Sequence, residues 1–164
     1  PTGKMKSREG IVVDADDLID EMIGESKKQT LELGKTEGMS EEEANKLFNM
    51  IGLGALKFFL LKVDPKKKML FDPNESIQLQ GFTGPFIQYT HARIKAILRK
   101  AESMALTTNP ESFAEVTLME ESERALVQLI ANFDVKLKEA AREYSPAILA
   151  NYVYDVAKSY NKFY

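Results

Sequence analysis

Residues 40–59 read Ser40-Glu-Glu-Glu-Ala-Asn-Lys-Leu-Phe-Asn-Met-Ile-Gly-Leu-Gly-Ala-Leu-Lys-Phe-Phe59, and this stretch decides the fold class. Ser40 and Glu43 have the spacing of a capping box, in which the serine oxygen and the glutamate carboxylate each take up a free N–H at a helix start. Behind the box, Ala44, Leu47, Phe48, Ile51, Ala55, Phe58 and Phe59 recur at a period near 3.6 and mark one apolar helix face. Gly52 and Gly54 each weaken such a helix by about 1 kcal/mol unless another element packs closely against them.

The same signals recur on both sides. Asp14-Ala-Asp-Asp17 is a cap for a helix carrying Leu18, Ile19, Met22 and Ile23, which should stop near Gly34–Gly38. Val63–Phe71 reads as a connection with the basic run Lys66, Lys67, Lys68, and Asp72-Pro73-Asn-Glu75 starts a further helix. Gly81, Gly84 and Pro85 force a turn. After it, Ile87, Ile94, Ile97, Leu98 and Ala101 form the expected buried stripe of a helix through Lys100. Thr107–Pro110 reads as a linker. Thr117-Leu-Met-Glu120 is a second capping box, leading into one helix with Leu126, Leu129, Ile130, Phe133, Leu137, Ala140 and Tyr144. Ser145-Pro146 ends it and caps the last helix, whose apolar face is Leu149, Tyr152, Val153, Val156, Tyr160, Phe163 and Tyr164. Only Ile11–Val13 and Met69–Phe71 look extended, too short for an independent sheet. The expectation is an all-α fold with at least five helices and no sheet.

Composition narrows the function. At 164 residues, 44% hydrophobic and 29% charged, the chain can bury a core. No apolar run approaches the roughly 20 residues of a membrane span, and Pro1–Gly10 lacks the apolar stretch of a signal peptide. With no cysteine there is no disulfide or thiolate chemistry, and the cytoplasm is the expected compartment. The single histidine, His91, argues against a His-rich metal site or a Ser-His-Asp triad. It reads as a packed, hydrogen-bonded structural residue.

Charge is distributed unevenly. Net charge is −3, yet no Asp or Glu lies between Glu75 and Glu102, where Arg93, Lys95, Arg99 and Lys100 are all basic. At 100° per residue, Tyr89, Arg93 and Lys100 fall within about 40° of one another. An aromatic ring beside two cations, next to a glycine-rich turn, suits the unstacked bases and phosphates of a single-stranded RNA loop. The other reading of the same spacing is a solvated basic face with Tyr89 at its boundary. A second set of cations, Lys4, Lys6 and Arg8, sits on the glycine-bounded segment Pro1–Gly10. Mobile cations of this kind stabilise charge developing in phosphoryl or nucleotidyl transfer, although short basic loops are mostly solvated.

Taken together, these motifs resemble the arginyl-tRNA synthetases, a family of class I aminoacyl-tRNA synthetases. Lys4-Met-Lys6-Ser7-Arg8-Glu-Gly10, with Val12-Val13-Asp14 and Asp17-Leu18 behind it, is similar to that family's KMSKS signature and the segment adjoining it. Ile51–Lys57 and Phe58–Leu61 resemble the start of its helical anticodon-binding domain. Gly81-x-Thr83-Gly84-Pro85-x-x-Gln88-Tyr89-x-His91-Ala92-Arg93-Ile94 is the most specific match. Ser145-Pro146, Tyr152, Ala157, Tyr160-Asn161 and Phe163-Tyr164 resemble the family's penultimate region. The signature departs from the general form, reading KMKSR with Ser7 at the second lysine position.

The resemblance implies two parts: residues 1–38 as the KMSKS-like loop and end of the catalytic domain, and residues 39–164 as the anticodon-binding bundle, truncated at its C-terminus. It implies an arginine–tRNA ligase using ATP with Mg2+, arginine and tRNA(Arg). Lys4, Lys6, Ser7 and Arg8 would then face ATP, while Gly81, Phe82, Thr83, Gly84, Tyr89, Arg93, Lys100 and Tyr164 would bind the tRNA. The family's HIGH motif and arginine pocket lie upstream of this segment. The isolated chain is therefore expected to be inactive and monomeric, to hold no cofactor, and to have Pro1–Val13 poorly ordered or displaced. Two alternatives stand beside this reading: a stand-alone helical RNA-binding module, and a helical protein-interaction domain.

Overall fold

A computed structural model describes residues 14–106 and 118–164. Among them are seven helices and no strand: α1 (Ala15–Glu32), α2 (Glu41–Leu61), α3 (Pro73–Ser76), α4 (Gly84–Ser103), α5 (Glu121–Ala131), α6 (Phe133–Glu143) and α7 (Pro146–Phe163). The caps reflect the side-chain chemistry. Asp14 accepts the Asp16 N–H at 2.9 Å. Ser40 Oγ accepts the Glu43 N–H at 3.3 Å while Glu43 accepts the Ser40 N–H at 2.8 Å, which holds the Glu43 carboxyl below the usual carboxylate range. Asp72 accepts from Asn74 and Glu75, and Thr83 from Phe86.

The glycines of α2 explain how the helices meet. Gly52 and Gly54 are about 200° apart around the helix, so they open its opposite sides. At Gly52 the backbone of α1 comes so close that an added Cβ would lie 2.8 Å from the Met22 carbonyl oxygen. At Gly54 it is α4 that approaches: a Cβ on Gly84 would sit 2.5 Å from the Gly54 carbonyl oxygen. The central helix is thus gripped between α1 and α4. Met22, Ala55, Leu56 and Ile77 form the buried core on the α1 side, with Leu18, Ile19, Ile51 and Phe71 around it. On the α4 side, α7 completes the packing and itself carries α5 and α6, the Tyr152 hydroxyl donating to the Leu129 carbonyl at 2.9 Å. By length and composition α2 could cross a membrane (mean hydropathy 1.2). Its first turn is Glu41-Glu-Glu43, and two helix backbones occupy its sides.

Several sequence expectations need correction. The single helix expected up to Tyr144 is two, bent at Asn132, and the second capping box is built from Glu120 and Glu123, three residues later than expected. Asp72–Glu75 starts only one turn of helix. Ser145 precedes α7 without a capping hydrogen bond from its side chain. The C-terminal half of the α4 stripe is uncovered, with Leu98 56% exposed, because α2 and α7 meet only the first turns of α4. His91 is exposed, not packed. On α7 the buried positions are Ala147, Tyr152 and Ala157, whereas Val153, Phe163 and Tyr164 are exposed. Met69–Phe71 is irregular. The Pro1–Val13 loop, Thr107–Pro110 and Thr117 lie outside the described residues.

The glycine contacts predict opposite effects for two alanine substitutions. Gly84→Ala forces α4 away from α2 and should cost about 1–3 kcal/mol. Gly24→Ala, where an added Cβ meets nothing within 4 Å, should stabilise by about 0.5–1 kcal/mol through helix propensity. Urea denaturation of the two variants checks this. Equal stability would contradict the close crossing.

Candidate nucleic-acid interface

The glycine-rich turn is built to a fixed shape. Gly81 has φ +91°, a left-handed conformation that glycine adopts without strain. Two residues on, the Thr83 N–H donates to the Gly81 carbonyl at 3.1 Å and the Thr83 hydroxyl to the Gln78 carbonyl at 2.6 Å. Thr83 is 6% exposed and Gly84 is buried, so these two shape the turn. The Phe82 ring meets Phe58 at 5.3 Å and Tyr154 at 4.5 Å between centroids.

Lys62 pins this turn from α2. Its Nζ donates to the Phe82 carbonyl at 2.8 Å and lies 4.9 Å from the Phe59 ring centroid and 5.0 Å from that of Phe82. Burial holds the ammonium below the usual lysine range, with Glu75 acting in the opposite direction. Sequence reasoning passed over Lys62. Its signal was a lone cation three and four residues after Phe59 and Phe58, the spacing at which helix side chains meet.

Tyr89 and Arg93 stand one turn apart on α4, and the end of α7 joins them. The Arg93 guanidinium carbon lies 5.0 Å from the Tyr89 ring centroid and 4.9 Å from that of Tyr164. Tyr164 stacks on Tyr160 at 6.3 Å with 13° between planes. Arg93 Nη1 donates to Asn161 Oδ1 at 2.7 Å, and Nη2 reaches the Tyr89 hydroxyl at 3.4 Å. This hydrogen bond and the charge of Arg93, with a lesser contribution from Lys35, hold the Tyr89 hydroxyl below the usual phenol range. The rings stay open to solvent: Tyr89 is 47% exposed and Tyr164 68%. Lys100 shares their azimuth but lies eleven residues beyond Tyr89, about 16 Å along the helix. The structure therefore brings Tyr89, Arg93 and Tyr164 together and leaves Lys100 apart. Lys4, Lys6, Ser7 and Arg8 fall outside the described residues.

Sequence and fold comparisons agree on the relationship. Residues 87–164 match the model of the DALR anticodon binding domain. The whole chain is 52% identical to an arginine–tRNA ligase of Bacteroides thetaiotaomicron and 54% identical to one of Amoebophilus asiaticus. The chain belongs to the arginyl-tRNA synthetase family. It spans 27% and 28% of the length of those two relatives. The fold is similar to that of Thermus thermophilus arginyl-tRNA synthetase (TM-score 0.81, 31% identity, covering 99% of this chain and 25% of that one). It is also similar to arginyl-tRNA synthetase from Plasmodium falciparum (TM-score 0.77, 26% identity, covering 93% and 27%). The turn, Tyr89, Arg93 and Tyr164 thus lie in the helical segment that is similar to these synthetases, and the region matched by the anticodon-binding model, residues 87–164, contains all of them but the turn.

The Tyr89–Arg93 contact carries its own pH signature. A phenol lowered in the folded state releases its proton more readily there than in the unfolded chain. It therefore adds stability as pH rises through the folded value toward the ordinary one, and that stability is lost again as pH falls. Arg93→Leu should move the Tyr89 titration up toward the ordinary phenol range and abolish this alkaline gain. Ultraviolet titration reads it, with the Tyr89 step identified by its disappearance in Tyr89→Phe. An unmoved step would contradict the contact.

Proposed function

We propose that this chain works as part of an arginine–tRNA ligase, the ATP-dependent enzyme that attaches arginine to tRNA(Arg), and supplies the grip on the anticodon stem-loop. The observation that carries this reading is the pair of exposed rings, Tyr89 on the acid-free part of α4 and Tyr164 at the end of α7, gathered about Arg93. Two partly exposed rings offer π-faces to unpaired bases. Arg93 has five N–H donors, of which, among the described residues, Asn161 and Tyr89 engage only some, leaving others for a phosphate or a base edge. Gly81, Phe82, Thr83 and Gly84 would present the turn beside the RNA, held in shape by Lys62, and Lys100 would meet the backbone farther along the stem.

Lys4, Lys6, Ser7 and Arg8 are proposed to act on the ATP side, where cations offset charge developing on the phosphates. Among the described residues no three of His, Cys, Asp and Glu come together as a metal site, so none of them is assigned to the Mg2+ that accompanies ATP. Arginine and ATP would be bound in the catalytic domain of the whole ligase. A monomer in the cytoplasm completes the reading.

The test uses the full-length ligase. Tyr89→Ala should weaken tRNA(Arg) binding by about 1–3 kcal/mol. Arg93→Ala should give a comparable loss and a shallower dependence on salt. Both should leave the melting temperature nearly unchanged. Lower melting temperatures with unchanged tRNA affinity would make Tyr89 and Arg93 packing residues only.

A further inference from the structure

Asn161 makes three side-chain hydrogen bonds beside the interface. Its Nδ2 donates to the Ala157 carbonyl at 2.9 Å and to Thr90 Oγ1 at 2.6 Å. The Thr90 hydroxyl donates its own hydrogen bond to the Phe86 carbonyl at 2.9 Å, which leaves its lone pairs for Asn161. The amide therefore has one orientation. Turned over, its oxygen would face two acceptors. In the observed orientation Oδ1 points to Arg93 Nη1 at 2.7 Å. The guanidinium is thereby held between the rings of Tyr89, on α4, and Tyr164, at the end of α7.

Resting on the anticodon-loop reading, we propose that Asn161 is a positioning residue for RNA recognition. It fixes the Arg93 guanidinium as the middle layer of a ring–cation–ring unit that receives an unpaired nucleobase of an RNA loop. A free arginine side chain loses much rotamer freedom on binding. Here that freedom is given up on folding, so the unit meets the RNA already in shape. The proposal also makes Tyr89 and Tyr164 act together, since both lean on one cation.

The competing role for Asn161 is to fasten α4 to α7 through Thr90. Two substitutions separate the roles. Thr90→Val removes the helix fastening and keeps the acceptor for Arg93. Asn161→Leu removes both at similar size, and Asn161→Ala, which adds no bulk, serves where leucine disturbs the packing. Two readouts are taken: tRNA(Arg) affinity of the full-length ligase, and the Tyr89 titration of the 164-residue chain.

The expected result is about tenfold weaker tRNA binding for the Asn161 variants, with the Tyr89 step moved up toward the ordinary phenol range. Thr90→Val should keep both near wild type while sharing the loss in melting temperature. Equal loss of affinity in Thr90→Val and the Asn161 variants, with the Tyr89 step unmoved in all, would overturn the positioning role. So would wild-type affinity in the Asn161 variants when Tyr89→Ala binds weakly, and that result would leave the anticodon-loop reading standing. Wild-type affinity in Tyr89→Ala and Arg93→Ala would instead sink that reading, and the nucleobase role proposed for the unit with it.

Discussion

The close approach of two helix backbones to opposite sides of α2 is the constraint on which the rest depends. Two glycines two residues apart in the middle of a helix cost about 1 kcal/mol each in propensity. In return the α1 backbone closes on Gly52 and Gly84 of α4 closes on Gly54. Such contact fixes the position of α4 with little play: Gly84 meets the Gly54 backbone directly, and the Gln88 side chain fills the space beside Gly54 and donates to the Met50 carbonyl. The Gly81–Pro85 turn is a consequence of it. The chain must leave α3, reverse, and enter α4 with Gly84 and Pro85 as its first two residues, the first of them already against α2.

From that crossing the interface is assembled in two stages. Lys62 and the aromatic group of Phe58, Phe82 and Tyr154 tie the turn to α2 and α7. Asn161 and Thr90 then fasten α7 to α4 one turn farther on, beside the contact of Tyr164 with Arg93. Packing and the proposed RNA contacts use different residues. Thr83, Gly84 and Thr90 are buried, whereas Tyr89 and Tyr164 keep exposed faces. The similarity to the Thermus thermophilus structure, at 31% identity and TM-score 0.81, is what a fold set by backbone contacts and caps allows while surface side chains vary.

Local signals were legible in the sequence. Caps at Asp14, Ser40 and Asp72 are made within a few residues, and the glycine pair in α2 announced a close neighbour without saying which. Tyr89 beside Arg93 is likewise an i, i+4 pair. The misses have a common physical cause: periodicity identifies an apolar face but not whether anything covers it. Leu98, Val153 and His91 were assigned to the interior on that basis and are exposed. The bend at Asn132 carries no glycine or proline to mark it. Lys62 with Phe82, and Arg93 with Asn161, pair residues 20 and 68 positions apart. No local pattern specifies such pairings, although Lys62 left a trace in its spacing from Phe58 and Phe59.

The central claim is that Tyr89 and Tyr164, held by one cation, form a single RNA-binding unit. The most direct measurement tracks the ring resonances of the chain by tyrosine-selective isotope labelling while an anticodon stem-loop RNA of tRNA(Arg) is added at low salt. Tyr89 and Tyr164 should shift together, along one binding curve. Tyr144, 89% exposed and held in a left-handed turn between α6 and α7, should not move. Shifts at Tyr144 with none at Tyr89 and Tyr164, or separate curves for those two rings, would contradict the account.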